Sequence, residues 1–247
     1  MMAGKPGRFR TGPKNFTSRP LYAIIRKNAS GGNNMSLKEQ MMTGKLYVEW
    51  GHAAPEDQAW EQETSRQRQA AKDACFEYNH TRPSDLARKR EILAGLLGRA
   101  GKNLWMEANI NFAYGCNTYI GDDVYANFNL TVVDDGEVHI GDSVMFAPNV
   151  TITTTGHPVH PSFRDKGAQF SLPVRIGSHT WIGSNVVIMP GVTIGENSVI
   201  GAGSVVTRDI PANVVAFGAP CRVVRPITDE DLKEYKKGYP VNEDWEG

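Results

Sequence analysis

Four histidines, His139, His157, His160 and His179, fall between residues 139 and 179 of the 247-residue chain. Imidazole has an ordinary pKa of about 6.5, so it can take or give a proton near neutrality, and its free nitrogen can also hold a metal. Two chemistries are therefore open to these positions: proton transfer, or a zinc site built from neighbouring segments. His157 lies in Thr155-Gly156-His157-Pro158-Val159-His160. A lone loop histidine is by default a surface residue, so its surroundings must decide its role. Towards the carboxyl end, Arg208, Arg222 and Arg225 can each make charge-assisted contacts to phosphate, or serve as solubilising charge where an element ends. Cys75, Cys116 and Cys221 are an odd number without a short pairing motif, which suggests neither a disulfide framework nor a cysteine zinc site and fits a reducing compartment.

The elements that must position these groups follow from pattern and charge. The 27 basic residues balance 27 acidic ones, but residues 1–34 hold seven of the basic residues and no acidic one, leaving the remainder at about −7. That leader reads as a basic extension or tag, with Met35 as a start of the folded chain, and the acidic remainder argues against a nucleic-acid protein. No apolar run approaches the roughly 18 residues of a membrane span. From Ser36 to about Gly101 the pattern is helical. Ser36 and Glu39 have capping-box spacing, and Glu56 to Tyr78 sets Trp60, Thr64, Gln67, Ala71, Ala74, Cys75 and Tyr78 at three- and four-residue intervals. Pro83 ends that helix, and Ser84 is the expected N-cap of a third.

Beyond residue 115 the period changes. Ile176, Ile182, Ile188, Ile194, Ile200 and Val206 stand six apart without a miss, with small or β-branched residues recurring four positions after each isoleucine. Ile140, Phe146 and Ile152 share the frame, and Ile120, Ala126 and Val132 are displaced by two, which implies a two-residue insertion near Asp134 to His139. A six-residue period means short strands between tight turns, each stacked on its equivalent one coil later: a mainly β protein with a parallel β-helix. The repeat lapses from Gly156 to Pro173 and resumes in register. A loop of this length projecting from a rigid solenoid is a place for binding or catalysis.

A helical segment with Tyr78-Asn79-His80, then Tyr125-Ala126-Asn127-Phe128-Asn129, Val133-Asp134-Asp135, the Thr-Gly-His-Pro-Val-His run, Trp181-Ile182-Gly183-Ser184 and Gly218-Ala219-Pro220-Cys221-Arg222-Val223-Val224-Arg225 together resemble the maltose/galactoside O-acetyltransferases. The likeness covers roughly residues 36–232 and is greatest to the bacterial galactoside-acetylating members. It implies a left-handed β-helix over 106–225 with its loop at 156–173, a helical cap over 35–105, and a tail over 226–247. The implied reaction moves acetyl from acetyl-CoA to a hydroxyl, the 6-hydroxyl of a galactoside or similar sugar, with maltose, glucose or another small hydroxyl compound as the alternative acceptor.

His157 matches the family's catalytic base. Glu49, Tyr125, Asn127 and Asp135 match its acceptor residues; Trp181, Ser184, Ala202, Thr207, Arg208, Arg222 and Arg225 match its CoA residues. No metal is implied, and the implied assembly is a homotrimer with active sites between subunits, in the cytoplasm unless residues 1–34 direct it to an organelle. Three positions depart from the pattern. Glu49 stands where Asp is usual and has a cap salt bridge as its competing role, Ala113 replaces a serine, and Gln58 falls where an arginine is expected. γ-Class carbonic anhydrases share the repeat but lack the cap and the histidine loop, and a purely structural solenoid has no need of the interruption.

Overall fold

The computed structural model describes residues 35–242, so the expectations for residues 1–34 and for the last residues of the tail lie outside the described residues. The amino-terminal helices form as their caps dictate. The Ser36 hydroxyl accepts from the Glu39 N–H at 3.3 Å while Glu39 accepts from the Ser36 N–H at 2.8 Å, opening α1 (Leu37–Met42). A longer α2 (Pro55–His80) buries Thr64, Ala71, Cys75 and Tyr78 as one stripe. In α3 (Leu86–Leu96) the N-cap is Asp85 and not the expected Ser84, its carboxylate accepting from the Arg88 N–H at 3.1 Å. A carboxylate caps as well as a hydroxyl and is favoured at the positive end of the helix. The end of α2 is clamped to the first coil of the solenoid: Asn79 donates to the Ile110 carbonyl at 2.9 Å and accepts from the Ile110 N–H at 2.8 Å.

The solenoid is a prism with three sheet faces. Its first face stacks Trp105–Met106, Tyr125–Ala126, Met145–Phe146, Trp181–Ile182, Val199–Ile200 and Val214–Phe217 in parallel, with Arg222–Pro226 antiparallel at the end. The second stacks Ile110–Phe112, Leu130–Val133, Thr151–Thr153, Val187–Ile188 and Val205–Val206. Thr118–Ile120, Val138–Ile140, Val174–Ile176 and Thr193–Ile194 make the third. The six-residue series from Ile176 to Val206 points inward throughout, between 0 and 3 % exposed. Backbone amides are spent between coils, so each coil is held by its neighbours and the interior stays apolar.

Val132 pairs with Ile152 but Ile182 pairs with Ile200, so the early coils take 20 residues and the later ones 18. The extra pair lies between Leu130–Val133 and Val138–Ile140, where the frame shift places it, and recurs one coil earlier between Ile110–Phe112 and Thr118–Ile120. Turns between the first two faces carry Asn129, Asn149 and Asn185 in the left-handed region, their amides laddered at 2.9 and 3.2 Å. At Gly183 a Cβ would stand 2.6 Å from the Ala202 backbone nitrogen, so only glycine lets the two turns stack this closely.

The interruption is an arm. Thr155–Gly156 pairs antiparallel with Phe170–Ser171, and between them lies a short helix, Pro161–Arg164, capped by His160. The base of the arm is tied to the cap by a two-way backbone pair between Tyr47 and Gln169, both bonds 2.9 Å.

Candidate active site

The corner between the second and third faces gathers charge from three elements. Glu49, in the segment before α2, is 7 % exposed, and Asp135, in the turn after Leu130–Val133, is 5 % exposed. Arg68 of α2 reaches both: it ion-pairs with Glu49, and its Nη2 donates to Asp135 Oδ1 at 3.2 Å. The guanidinium also lies 4.9 Å from the centre of the Tyr114 ring, whose hydroxyl points to Glu49 Oε1 at 3.5 Å. Burial pushes the Tyr114 and Tyr47 phenols up, keeping them neutral hydrogen-bonding groups. Tyr47, Ser171 and Thr155 continue the network to the base of the arm, at 2.8 and 3.0 Å between hydroxyls.

The cap salt bridge that competes for Glu49 thus exists, and it joins the two carboxylates expected to bind the acceptor. Gln58, expected to leave the amino-terminal side without its arginine, bonds the His52 carbonyl at 3.0 Å, and Arg68 supplies the guanidinium from ten residues further along α2. Arg68, Tyr114 and Tyr47 were not among the expected site residues. Arg68 carries a signal all the same: it stands four residues after Thr64 and three before Ala71, an arginine on a buried stripe. Ala113 precedes Tyr114 at the same corner, where a serine would have added a hydroxyl.

His157 stands on the arm just beyond its base, with an exposed side chain. Its Nδ1 lies 3.0 Å from the Ala168 carbonyl oxygen. A carbonyl only accepts, so Nδ1 carries the proton, and in the neutral ring Nε2 keeps its lone pair. This orients the ring without a carboxylate partner. His160 caps the arm helix and serves loop structure. His139 stacks on Tyr119 at 5.0 Å and bonds Glu137 at 2.9 Å, and His179 occupies a left-handed turn. Among the described residues no three His, Cys, Asp or Glu side chains converge as a metal site would require.

The remaining site residues form a second column, at the corner between the first and second faces. Asn127, Ser184 and Ala202 occupy equivalent turns there, and Tyr125 and Trp181 lie on the adjoining first-face strands, two rungs apart through Met145. Trp181 is 49 % exposed. Thr207 and Arg208 lie back on the first column, in the turn after Val205–Val206. The two columns climb the same coils: Asn127 is level with Asp135, and Ala202 with Thr207 and Arg208. They are separated by the second face, whose four-residue strand spans roughly 13 Å at about 3.3 Å per residue.

Arg222 and Arg225 lie on the edge strand Arg222–Pro226. Arg225 grips Asp231 with two bonds, 2.7 and 2.8 Å, and holds that carboxyl down at about 2. Its fork is thus occupied by the turn Asp229–Leu232. Arg222 donates to the Cys221 carbonyl at 2.7 Å.

A hexapeptide solenoid opened by one histidine arm and closed by helices is the architecture of a class of acyl-group transferases, and the comparisons narrow that class. The family described as "Bacterial transferase hexapeptide (six repeats)" matches residues 173–208, and the "Maltose acetyltransferase hexapeptide capping motif" matches residues 40–101. Galactoside O-acetyltransferase of Escherichia coli (strain K12) is 48 % identical over 208 residues, 84 % of this chain and 98 % of that protein. The Lactococcus lactis enzyme of the same name is 44 % identical over 74 % of this chain and 89 % of its own length. A solved galactoside acetyltransferase in complex with coenzyme A superposes with a TM-score of 0.78 at 47 % identity, covering 85 % of this chain and all of that one. A maltose O-acetyltransferase from Clostridium difficile 630 superposes at 0.72 with 41 % identity, over 79 % of this chain and all of that one. The chain belongs to the maltose/galactoside O-acetyltransferase family.

Proposed function

We propose that the protein transfers the acetyl group of acetyl-CoA to the 6-hydroxyl of a galactoside, with His157 as the general base. The observation that carries this reading is the hydrogen bond from His157 Nδ1 to the Ala168 carbonyl, which leaves Nε2 as a proton acceptor on an arm beside the buried carboxylates. A sugar hydroxyl is far too weak an acid to ionise alone at neutral pH, so it must lose its proton as its oxygen attacks the thioester carbonyl. Nε2 takes that proton while the new C–O bond forms. The tetrahedral oxyanion needs a hydrogen-bond donor, for which the Ser184 backbone N–H is the assigned group. Collapse breaks the C–S bond, and the imidazolium returns its proton to the departing CoA thiolate.

Glu49 and Asp135 hold sugar hydroxyls, and Arg68 bridges both carboxylates and aims them. Asn127 and Tyr125 face them from the second column. Trp181 lines the thiol end of CoA, Ser184 and Ala202 pair with its amide-bearing arm, and Thr207, Arg208 and Arg222 meet its phosphates. Because Asp231 already occupies Arg225, that residue anchors the strand bearing Arg222. One chain cannot bring its two columns together across its own second face. A homotrimer in which the first column of one chain meets the second column of the next closes the site, and it would also cover the exposed Met145, Trp181 and Phe217 of the first face.

No helix among the described residues is long and apolar enough to cross a membrane. The free cysteines Cys75, Cys116 and Cys221 fit the reducing cytoplasm. The test is thiol release from acetyl-CoA against a panel of galactosides, glucosides and maltose, with the acetylated position read by NMR. Release coupled to 6-O-acetylgalactoside supports the reading; transfer to maltose or glucose in its place moves the assignment to the alternative acceptor.

A further inference from the structure

We propose that Trp50 is a specificity-determining residue of the acceptor site, its indole supporting the apolar face of a galacto-configured sugar whose hydroxyls Glu49 and Asp135 bind. The inference rests on the transfer proposed above and adds the feature that selects the sugar. Glu49 is 7 % exposed whereas Trp50, the next residue, is 40 % exposed, so the segment turns a carboxylate inward and an aromatic ring outward at the same place. The Arg68 guanidinium that holds Glu49 and Asp135 lies 5.8 Å from the centre of the Trp50 ring and 4.9 Å from that of Tyr114. One cluster therefore contains two carboxylates, their shared cation and two rings, with Tyr114 buried at its floor and Trp50 at its mouth.

Trp50 is also held in place. His52 donates its N–H to Glu61 Oε1 at 2.9 Å and sets its Nδ1 2.7 Å from the same oxygen, while Gln58 donates to the His52 carbonyl at 3.0 Å. With Glu49 fixed by Arg68 on one side and His52 fixed by α2 on the other, the indole is a preorganised surface.

The chemistry of the ligand follows from the shape of a pyranose. Carboxylates bind adjacent hydroxyls in the plane of the sugar ring, whereas a flat aromatic ring can cover only C–H groups. In a galactoside the axial 4-hydroxyl points to one face and leaves the C–H bonds at carbons 3, 4 and 5 together on the other. In a glucoside the equatorial 4-hydroxyl lies at the rim and that apolar patch is broken. An indole beside the carboxylates therefore favours the galacto configuration, since burying contiguous apolar surface against an aromatic ring is the favourable term.

The experiment compares Trp50→Ala and Trp50→Phe with the wild-type chain, measuring kcat and KM for methyl galactoside and methyl glucoside; the methyl group removes any contribution from a larger aglycone. Trp50→Ala should raise the galactoside KM about 5- to 10-fold and the glucoside KM less than about 2-fold, with Trp50→Phe recovering most of the difference. The KM for acetyl-CoA should stay within about 2-fold, which separates loss of a sugar contact from a general disturbance of the cap. An equal rise for both sugars, or no rise for either while the wild type transfers acetyl, overturns this inference alone. A wild-type chain that acetylates neither sugar overturns the transfer reading, and this inference with it.

Discussion

The proton on His157 Nδ1 is fixed by the Ala168 carbonyl, so the residue is oriented by backbone and the arm itself is the orienting group. His157→Ala removes the proposed proton acceptor without touching either column. We expect kcat to fall by roughly 10²- to 10⁴-fold, with little change in the KM for acetyl-CoA, in a steady-state assay of thiol release. At Glu49 the observed salt bridge and the proposed acceptor contact meet. Glu49→Gln keeps the shape and one acceptor oxygen but removes the charge that Arg68 pairs with. Both acceptor affinity and stability should suffer: the acceptor KM is expected to rise several-fold and Tm to fall a few degrees by scanning calorimetry, since a loss of 1 kcal/mol shifts Tm by about 2–4 °C in a chain of this size. A fall in Tm with an unchanged KM would leave only the salt bridge. His157 and Asp135 were legible because they stand in short runs of distinctive residues. Arg68 was less so: its spacing from Thr64 and Ala71 puts it on the buried stripe, but beside Arg66, Gln67 and Gln69 it reads as solvent-facing until the turn at Asp135 is seen to face it.

At the scale of elements, the hexapeptide frame was legible as a period because each inward isoleucine has a fixed place in its coil. The early coils were less so: two extra residues at one corner break the spacing without breaking the stacking, and only the register from Ile110 to Leu130 reveals the first insertion. That corner stores a titratable group. Asp134 is fully buried, accepting from the Tyr114 N–H at 2.8 Å and the Thr118 hydroxyl at 2.9 Å, and burial pushes its carboxyl up to about 6. A raised carboxyl binds its proton more tightly folded than unfolded, so its contribution to stability is present below about pH 4 and is lost as pH rises to about 6. Asp134→Asn keeps an acceptor for Tyr114 and offers Thr118 a donor, and it has no charge to bury. The stability of the wild type relative to Asp134→Asn should therefore decline between pH 4 and 6, by at most about 1.4 kcal/mol per pH unit, and level off above; chemical denaturation at several pH values measures it. A constant difference across that window would mean that Asp134 ionises normally.

For the whole molecule, the separation of the columns has the largest consequence. The residues proposed to contact acceptor, thioester and phosphate are stacked along two edges of one prism at matching heights, and under the proposed homotrimer a copy related by closed symmetry brings one edge to the other. Sedimentation equilibrium should give three chains per particle. Transfer by His157 of one chain on acetyl-CoA held beside Trp181 of another is tested most directly by complementation. His157→Ala and Trp181→Glu, each expected to retain at most about 1 % of wild-type activity alone, are co-expressed at equal levels, and acetyl transfer to a galactoside is measured on the purified mixture. With random assembly, about a quarter of the interfaces receive an intact His157 from one chain and an intact Trp181 from its neighbour. Activity near a quarter of the wild-type level is the expected result; a mixture as inactive as its components, at confirmed mixed assembly, would contradict a site shared between chains.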